Sequence, residues 1–355
     1  MSNDVVPGIE DLPRLGRWLH DNGILPSADP PGVRLIAGGR SNLTYRLDPR
    51  AAHGPGAPVL VLRRPPLGHV LPTAHDMNRE YRVLSALRET AIPVPWVVAL
   101  CEDPSVIGAP FYLMRHVPGH VLRHRADAAL LTPAHAALLS GQFADMLAAI
   151  HGLDPASVGL AGFGRPEGYL QRQLARWRKQ WDLSVTREMP GFEQLADRLA
   201  AGLPERSGSP GTLVHGDYRL DNMLVTLGER PAIAAVVDWE MSTLGDPLAD
   251  LGLSLVYWAE PGDDLNQLSV SADVTATPGF LSRAQVAERY AAVTGRDVSA
   301  LGYYMAFGCF KLAVVLEGIH ARYLQGKTVG EGFEKDGLGV PLLVQRAHRL
   351  LDSVG

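Results

Sequence analysis

Hydrophobic residues are spaced differently in the first third of the chain and in the remainder. Leu12, Leu15 and Leu19 have helical spacing and predict an N-terminal helix over 9–22. Short apolar runs bounded by Gly and Pro then indicate strands. They cover residues 33–39, 41–47, 59–64, 93–102 and 110–119, with one helix-like segment at 75–90. This pattern predicts an N-terminal region built from a sheet and one main helix.

After residue 119 the pattern is mostly helical. Thr132 followed by Pro133 is typical of a capped helix start. The predicted helices cover residues 132–155, 169–184, 282–294, 303–325 and 341–351. Two short apolar runs, 212–214 and 233–237, have the character of buried strands. Each of these two strands ends in a polar loop.

The two polar loops carry the candidate chemistry. The first contains Asp217, with Asn222 five residues later, and the second contains Asp238. Phosphoryl transfer needs a carboxylate that receives the proton of an attacking hydroxyl, and oxygen ligands that hold Mg²⁺. Protein kinases have an Asp, an Asn and a second Asp in this order. The loops therefore favour phosphoryl transfer, with Asp217 as the base and with Asn222 and Asp238 as metal ligands.

A single loop Asp has a simpler explanation, because such residues commonly form turns or cap helices. The joint pattern is far more specific, since an Asn stands at the fixed offset and a Gly-Asp-Pro with a further Asp follows downstream. We expect Asp246 and Asp250 to brace the loop, and His215 to orient it through hydrogen bonds. Glu240 is expected to be a supporting or metal-binding carboxylate.

The run from His215 to Tyr257 resembles the catalytic segment of the aminoglycoside phosphotransferase and choline kinase superfamily. His-Gly-Asp there replaces the His-Arg-Asp of protein kinases, and Asp-Trp/Phe-Glu replaces Asp-Phe-Gly. More narrowly, the chain is similar to the kinase-like domain that is fused to acyl-CoA dehydrogenases in animals and is free-standing in bacteria. The resemblance covers roughly residues 30–330.

This resemblance implies an α+β, protein-kinase-like bilobal fold. The N-terminal lobe, residues 1–117, would hold the N-terminal helix, an antiparallel sheet and one main helix. The C-terminal lobe, residues 118–355, would be mostly helical and contain the catalytic hairpins at 212–250. ATP and Mg²⁺ would bind in the cleft between the lobes.

The resemblance also implies two main-chain contacts with the nucleotide. Ser41 and Asn42 follow a Gly-Gly pair and would belong to the loop that covers the phosphates. A plain turn is the alternative interpretation of this Gly-Gly pair. Arg115 to Val117 would form the hinge whose backbone pairs with adenine.

Arg63 stands where kinases have a lysine that pairs the phosphates. A guanidinium forks onto two oxygens whereas an ammonium acts as a point charge, so the geometry must differ. A solvated arginine at a strand edge is the alternative. Glu80 would be the helix partner of this cation, but an exposed glutamate is an equal interpretation because Asp76 and Glu89 are also near.

Composition limits the remaining possibilities. The 355 residues suggest two domains or one bilobal unit, and the formal net charge of -5 argues against a general nucleic-acid surface. Cys101 and Cys309 cannot build a disulfide framework. The N-terminus lacks the pattern of a secretory signal, and the apolar run at 305–316 is broken by Gly308 and Lys311. We expect a cytoplasmic protein without membrane partner; the oligomeric state stays open.

The expected partner is a small molecule with a hydroxyl group. The resemblance favours a hydroxyacyl-CoA or hydroxy acid. An aminoglycoside is a polycation and would need an acidic pocket, whereas the C-terminal helices carry both signs of charge. Lys311 and Arg322 could face an anionic acceptor, although solvated cations are the simpler interpretation. The polar segment 260–281 is predicted to be a lid on the substrate side.

Two other functions remain open. Arg63 in place of lysine suggests a nucleotide-binding regulator without turnover. A hydrolase could use a histidine with Ser41 or Ser242, but the sequence has no Gly-x-Ser-x-Gly motif.

Overall fold

The computed structural model describes residues 6–36, 42–67, 76–204, 211–263, 273–326 and 337–353. The chain divides into two compact units. The first contains Met1–Pro118 and Ala234–Glu240, and the second contains Gly119–Ile233 and Met241–Gly355. The predicted boundary after residue 117 did not anticipate that residues 234–240 belong to the first unit.

The first unit is built on a five-stranded sheet with the order β1-β2-β3-β5-β4, and its neighbouring strands are antiparallel. Two helices accompany the sheet. The elements are α1 (Leu12–Asp21), β1 (Gly32–Leu35), β2 (Leu43–Asp48), β3 (Leu60–Arg64), α2 (Met77–Leu87), β4 (Val97–Cys101) and β5 (Phe111–Arg115).

The helices of the first unit begin at side-chain caps. Asp11 Oδ1 accepts a hydrogen bond from Arg14 N at 2.8 Å, and Asp76 Oδ1 accepts one from Arg79 N at 3.1 Å. Such caps satisfy N–H groups that have no partner inside the helix. Asp76 is therefore the N-cap residue of α2.

The core of the first unit lies between α1 and the sheet. Leu15 and Leu19 of α1 pack in one buried cluster with Leu60, Leu62 and Phe111 of the strands. The residues of α1 that have helical spacing in the sequence thus form the face that covers the sheet.

The second unit is mostly helical. Its helices are α3 (Pro133–Gly152), α4 (Tyr169–Ser184), α5 (Phe192–Ala201), α6 (Pro247–Tyr257), α7 (Arg283–Thr294), α8 (Leu301–Leu324) and α9 (Gly339–Asp352). The short strands are β6 (Thr212–Val214), β7 (Met223–Thr226), β8 (Ala232–Val236) and β9 (Thr243–Gly245), and β8 continues into the first unit. Strand β6 pairs with β9, and Thr226 Oγ1 of β7 donates to the Ala232 carbonyl oxygen at 3.3 Å.

Helix α8 packs against α4, α6 and α9. A Cβ on Gly252 of α6 would lie 2.6 Å from backbone atoms of Tyr304, so a side chain there would force the two helices apart. Within the described residues, α8 is long and apolar enough to cross a membrane, but 72% of its most apolar window is buried inside the protein. Its apolar surface is thus used for packing.

Within the described residues, the predicted helices and strands are present with end shifts of a few residues, and the helices α5 and α6 were not predicted. Residues 37–39 and 41 of the predicted strands lie outside the described residues. Part of the predicted lid at 260–281 lies outside the described residues. In its described part, the Thr275 hydroxyl donates to the Ala259 carbonyl oxygen at 3.0 Å.

Candidate active site

The loop after β6 carries Asp217, and its shape depends on the preceding glycine. Gly216 has a φ of +82°, in the left-handed region that favours glycine. A Cβ at this position would lie 2.5 Å from the Met241 carbonyl oxygen. Glycine is therefore required here both by conformation and by space.

Asp250, in the first turn of α6, holds the backbone of this loop. Its carboxylate accepts hydrogen bonds from His215 N at 2.6 Å and from Gly216 N at 2.9 Å. His151 Nε2 lies 3.3 Å from the same carboxylate, and His151 Nδ1 lies 2.8 Å from the Tyr290 hydroxyl. The predicted bracing role of Asp250 is confirmed, and His151 is a satisfied core histidine.

Donors keep Asp250 ionised although it is buried. Burial by itself raises the pKa of this carboxyl, but the His151 hydrogen bond and charge, together with the His215 backbone N–H, leave its pKa below the ordinary value. His215 also orients the loop directly, because its Nδ1 accepts from Asp217 N at 3.2 Å. The expected orienting role of His215 is confirmed.

Asp217 is held by side chains of the second unit. Asn222 Nδ2 donates to Asp217 Oδ2 at 3.0 Å and to the Asp217 carbonyl oxygen at 2.9 Å. Burial, together with the nearby Asp217 carboxylate, raises the pKa of the Tyr257 hydroxyl well above its ordinary value. Since the amide nitrogen of Asn222 is used on Asp217, its amide oxygen is the atom that a cation would contact.

Lys311 of α8 reaches the same loop. Its Nζ donates to the Gly216 carbonyl oxygen at 2.7 Å and lies 5.5 Å from the centre of the Trp177 ring. The interpretation of Lys311 as a solvated cation is therefore wrong. Arg322, near the end of α8, is exposed as that interpretation expected.

In the first unit, Arg63 donates hydrogen bonds to two carboxylates and lies 3.7 Å from a third, Glu240. Its Nε donates to Glu80 Oε2 at 2.9 Å, and its Nη2 donates to Asp238 Oδ1. Glu80 is buried, with 1% of its surface exposed. The alternatives of a solvated arginine and an exposed glutamate are both wrong.

Burial and the neighbouring charges have opposite effects on the pKa values of Arg63 and Glu80. Burial lowers the pKa of Arg63, yet Glu80 and Asp238 raise it well above its ordinary value. Burial raises the pKa of Glu80, against the lowering effect of Arg63. The guanidinium of Arg63 remains protonated, because it donates to two carboxylates.

Asp238 has an unusual backbone conformation. Among the described residues it is the only non-glycine residue with positive φ, at 67°. Aspartate tolerates this region better than most residues, but the conformation is still strained. In the same unit, Asn42 Nδ2 donates to Glu240 Oε2 at 2.7 Å. Glu240 thus holds the residue that immediately precedes β2.

Three predicted nucleotide contacts have different outcomes. The Arg115 N–H donates to the Trp96 carbonyl oxygen at 2.8 Å, so this backbone donor is already used in the sheet. Val117 lies beyond the last sheet pair, Leu60 with Arg115. Ser41 lies outside the described residues.

The alternative nucleophile Ser242 is only 1% exposed, which argues against a hydrolase built on it.

Each unit therefore groups part of the predicted site. The second unit joins Asp217 with Asn222, and the first joins Arg63 with Glu80 and Asp238. That the two groups serve one ion and one nucleotide stays a prediction. In the described part of the chain, no three His, Cys, Asp or Glu side chains form a metal cluster. An amide and a carboxylate oxygen nevertheless fit Mg²⁺, which prefers hard oxygen ligands and keeps water or phosphate in its remaining positions.

The sequence did not indicate that Tyr257 lies near Asp217 or that Lys311 contacts Gly216. Both lie far along the chain from Asp217, and helical spacing alone does not show which face meets the loop. Arg219, two residues after Asp217, lies with its guanidinium 4.4 Å from the centre of the Tyr257 ring. Arg219 lies within the run from His215 to Tyr257, but its position in the sequence does not by itself predict this contact.

The fold and the loop geometry define a kinase-like protein. The model of the phosphotransferase enzyme family matches residues 32–291. The crystal structure of a candidate aminoglycoside phosphotransferase from Ralstonia eutropha is 32% identical, with a TM-score of 0.78, and the match covers 97% of this chain and 98% of that one. The aminoglycoside phosphotransferase APH(4)-Ia shares the fold, with 17% identity, a TM-score of 0.59, and coverage of 96% and 98% of the two chains.

Curated relatives are longer proteins. Acyl-CoA dehydrogenase family member 11 of Gallus gallus is 36% identical over 90% of this chain, and family member 10 of Mus musculus is 36% identical over 88%. The chain spans 40% of the length of the first protein and 28% of the second. The chain belongs to the phosphotransferase enzyme family. The predicted kinase-like fold and the predicted class of enzyme, a phosphotransferase, are confirmed.

Proposed function

We propose that the protein transfers the γ-phosphoryl group of ATP, with Mg²⁺, to a hydroxyl group of a small metabolite. The observation that carries this proposal is that hydrogen bonds fix the position of Asp217 and of its loop. Its carboxylate is fixed by Asn222, and its loop is fixed by Asp250 and Lys311. A positioned carboxylate of this kind is what the attacking hydroxyl needs.

In the proposed reaction, Asp217 accepts the proton of the acceptor hydroxyl. The hydroxyl oxygen forms a bond to the γ-phosphorus, the bond from the γ-phosphorus to the β,γ-bridging oxygen breaks, and ADP leaves. Arg63 orients the phosphates, and Glu80 holds the guanidinium in place. Little covalent chemistry falls to the protein, so positioning and charge neutralisation carry the rate.

Asn222 and Asp238 are the residues proposed to hold Mg²⁺. The metal, when bound, would neutralise charge on the phosphate oxygens. Arg63 is bonded to Asp238, and this contact would keep the carboxylate in one orientation if an ion were bound. Ser41, Asn42 and the Val117 backbone are proposed as further nucleotide contacts.

The proposed acceptor is a hydroxy acid or hydroxyacyl-CoA. The support for it is the similarity to proteins named as acyl-CoA dehydrogenases. An aminoglycoside is the alternative acceptor, since the neighbour APH(4)-Ia was crystallised with hygromycin B. A nucleotide-binding regulator is favoured by one observation, the occupation of Asp238 by Arg63. Formation of ADP with an acceptor separates an enzyme from a regulator.

The metal assignment is tested by the magnesium dependence of nucleotide binding. We expect Asp238→Asn to raise the Mg²⁺ concentration needed for ATP binding by at least about tenfold, because a carboxylate ligand loses its charge. Binding is followed by the shift in melting temperature with ATP. Asp103→Asn, at an exposed acid of the same unit, is the control. An unchanged magnesium dependence in Asp238→Asn would remove this residue from the metal site.

A further inference from the structure

Asp250 holds the loop before Asp217 with both of its carboxylate oxygens. Oδ2 accepts from His215 N and Oδ1 accepts from Gly216 N. The Asp250 side chain is 1% exposed and belongs to the first turn of α6. An ionised carboxylate offers both oxygens as acceptors, whereas a protonated one carries a hydrogen on one of them. The charge and the orientation of this carboxylate therefore set the position of the two N–H groups.

His151, near the end of α3, is a further donor to Asp250. Its Nε2 lies 3.3 Å from Asp250 Oδ2, and its Nδ1 lies 2.8 Å from the Tyr290 hydroxyl of α7. In a neutral imidazole, one nitrogen donates and the other accepts. Because the carboxylate only accepts, Nε2 carries the hydrogen and Nδ1 accepts from the Tyr290 O–H. Tyr290 thus selects the tautomer of His151 that can donate to Asp250.

These three side chains, which we call the Asp250 relay, are shielded from water. His151 is 1% exposed and Tyr290 has no exposed surface. The two rings meet edge to face, with their centres 5.7 Å apart. A buried hydrogen bond to a charged group contributes more than an exposed one, because water does not compete for it. The Asp250 relay therefore joins α7 and α3 to the loop that carries Asp217.

We propose that His151 and Tyr290 are positioning residues for the phosphoryl transfer. The inference rests on the proposed function, because it assigns the two residues to that reaction. His151 orients the Asp250 carboxylate, and Tyr290 keeps the His151 ring in the donating tautomer. When the Asp250 relay is broken, the two backbone N–H groups of the loop lose a fixed acceptor. Asp217 then leaves the geometry in which it receives the proton of the acceptor hydroxyl.

The other end of α6 is held by contacts that involve neither His151 nor Tyr290. Arg283, the first residue of α7, donates from Nε to the Leu255 carbonyl oxygen at 3.0 Å and to the Trp258 carbonyl oxygen at 2.7 Å. These contacts remain when the Asp250 relay is changed. We therefore expect substitutions in the relay to loosen the loop rather than to unfold the helix.

Hydrogen exchange tests the proposal without turnover. Mass spectrometry follows the peptide that contains His215 and Gly216, beside a reference peptide from α9 that cancels any global loss of stability. Relative to this reference, exchange should be about 3- to 10-fold faster in Tyr290→Phe than in the wild-type protein. Tyr303→Phe is the matched control, because the buried Tyr303 hydroxyl donates to the Leu199 carbonyl oxygen at 2.9 Å. The control should leave this exchange unchanged, and unchanged exchange in Tyr290→Phe overturns the proposal.

Two substitutions of His151 separate hydrogen bonding from packing. His151→Leu removes both nitrogens, so kcat for ADP formation should fall about 10- to 100-fold while KM for ATP changes less than about twofold. His151→Gln can donate an amide N–H to Asp250 and should regain at least about threefold of the lost rate. A variant His151→Gln as slow as His151→Leu would mean that ring packing alone matters, and the proposal would be wrong.

The kinetic assays use Mg-ATP with 2-, 3- or 4-hydroxybutanoate, whichever the wild-type protein turns over fastest. Tyr290→Phe removes a single hydroxyl and keeps the test valid if His151→Leu does not fold. It should lower kcat about 3- to 10-fold, the effect of one lost hydrogen bond.

Failure of this proposal and failure of the proposed function give different results. Faster exchange of the loop peptide in Tyr290→Phe, without ADP formation by the wild-type protein, would support the Asp250 relay and contradict the proposed function. ADP formation with the same kcat in the wild-type protein, Tyr290→Phe and His151→Leu would support the kinase and contradict the relay.

Discussion

At the scale of single residues, Gly216 shows how the conformation before Asp217 is specified. Gly216→Ala should destabilise the protein by about 2–4 kcal/mol, because left-handed strain adds to an overlap with the Met241 carbonyl oxygen. Gly159→Ala is a matched control, since Gly159 has a φ of +76° and a Cβ added there would have no atom within 4 Å. The control should lose only about 1–2 kcal/mol. Urea denaturation measures both, and equal losses would contradict the overlap.

Arg63 carries a second prediction at this scale. Arg63→Lys should lower stability by about 1–2 kcal/mol, because an ammonium cannot reproduce the fork that joins Glu80 and Asp238. Arg46→Lys, on the neighbouring strand, weakens a partly exposed pair with Asp48 and should change stability by less than about 1 kcal/mol. The two variants are compared by denaturant unfolding. A smaller loss for Arg63→Lys than for Arg46→Lys would mean that the fork contributes nothing.

The sequence predicts some residue contacts better than others. The Asp217 and Asn222 pair follows from spacing within one loop, and it is found as a hydrogen bond. The sequence could not distinguish a buried Glu80 from an exposed one, because a glutamate in a helix gives the same sequence pattern whether it faces solvent or Arg63. Lys311 was misjudged for the same reason, since it lies in a helix that is apolar nearly all round.

At the scale of elements, α6 contacts the loop that carries Asp217 through Asp250. Asp250→Asn should destabilise the protein by about 1–3 kcal/mol at neutral pH, because its amide cannot accept from both His215 N and Gly216 N. Asp145→Asn, in an exposed pair with Arg289, is the control with an expected change below about 1 kcal/mol. Both losses are measured by urea denaturation.

The pH dependence of this difference has a defined sign. The pKa of Asp250 is lowered in the folded protein, so its stabilising effect is complete above the unfolded value of about 3.9. The effect is lost as the pH falls below that value and through the lower folded pKa. The stability gap between wild type and Asp250→Asn should therefore shrink between about pH 4 and pH 2. A gap that widens on acidification would contradict the hydrogen-bonding scheme.

Helix α6 could not be predicted from periodicity, because every residue from Pro247 to Tyr257 is buried and no polar stripe marks a helix face. Helix α5 is different. Its buried residues Phe192, Leu195 and Leu199 have helical spacing that is visible in the sequence. The strands of the first unit were predictable because Gly and Pro bound their apolar runs.

At the scale of the whole molecule, the chain returns to the first unit between the two segments of the second, Gly119–Ile233 and Met241–Gly355. Ala234–Glu240 brings Asp238 and Glu240 to Arg63 and Asn42, which precede them by more than 170 residues. The order of motifs predicted a shared function for these residues. Their contacts depend on packing between distant segments, which neither propensity nor periodicity contains.

The central claim is that Asp217 receives the proton in phosphoryl transfer. The most direct measurement is the rate of ADP formation by Asp217→Asn with Mg-ATP and a panel of hydroxycarboxylates, beside the wild-type protein. We expect a loss of about 10²- to 10⁴-fold in this rate, the usual contribution of a general base, with ATP binding nearly unchanged. Wild-type turnover by Asp217→Asn would contradict the account.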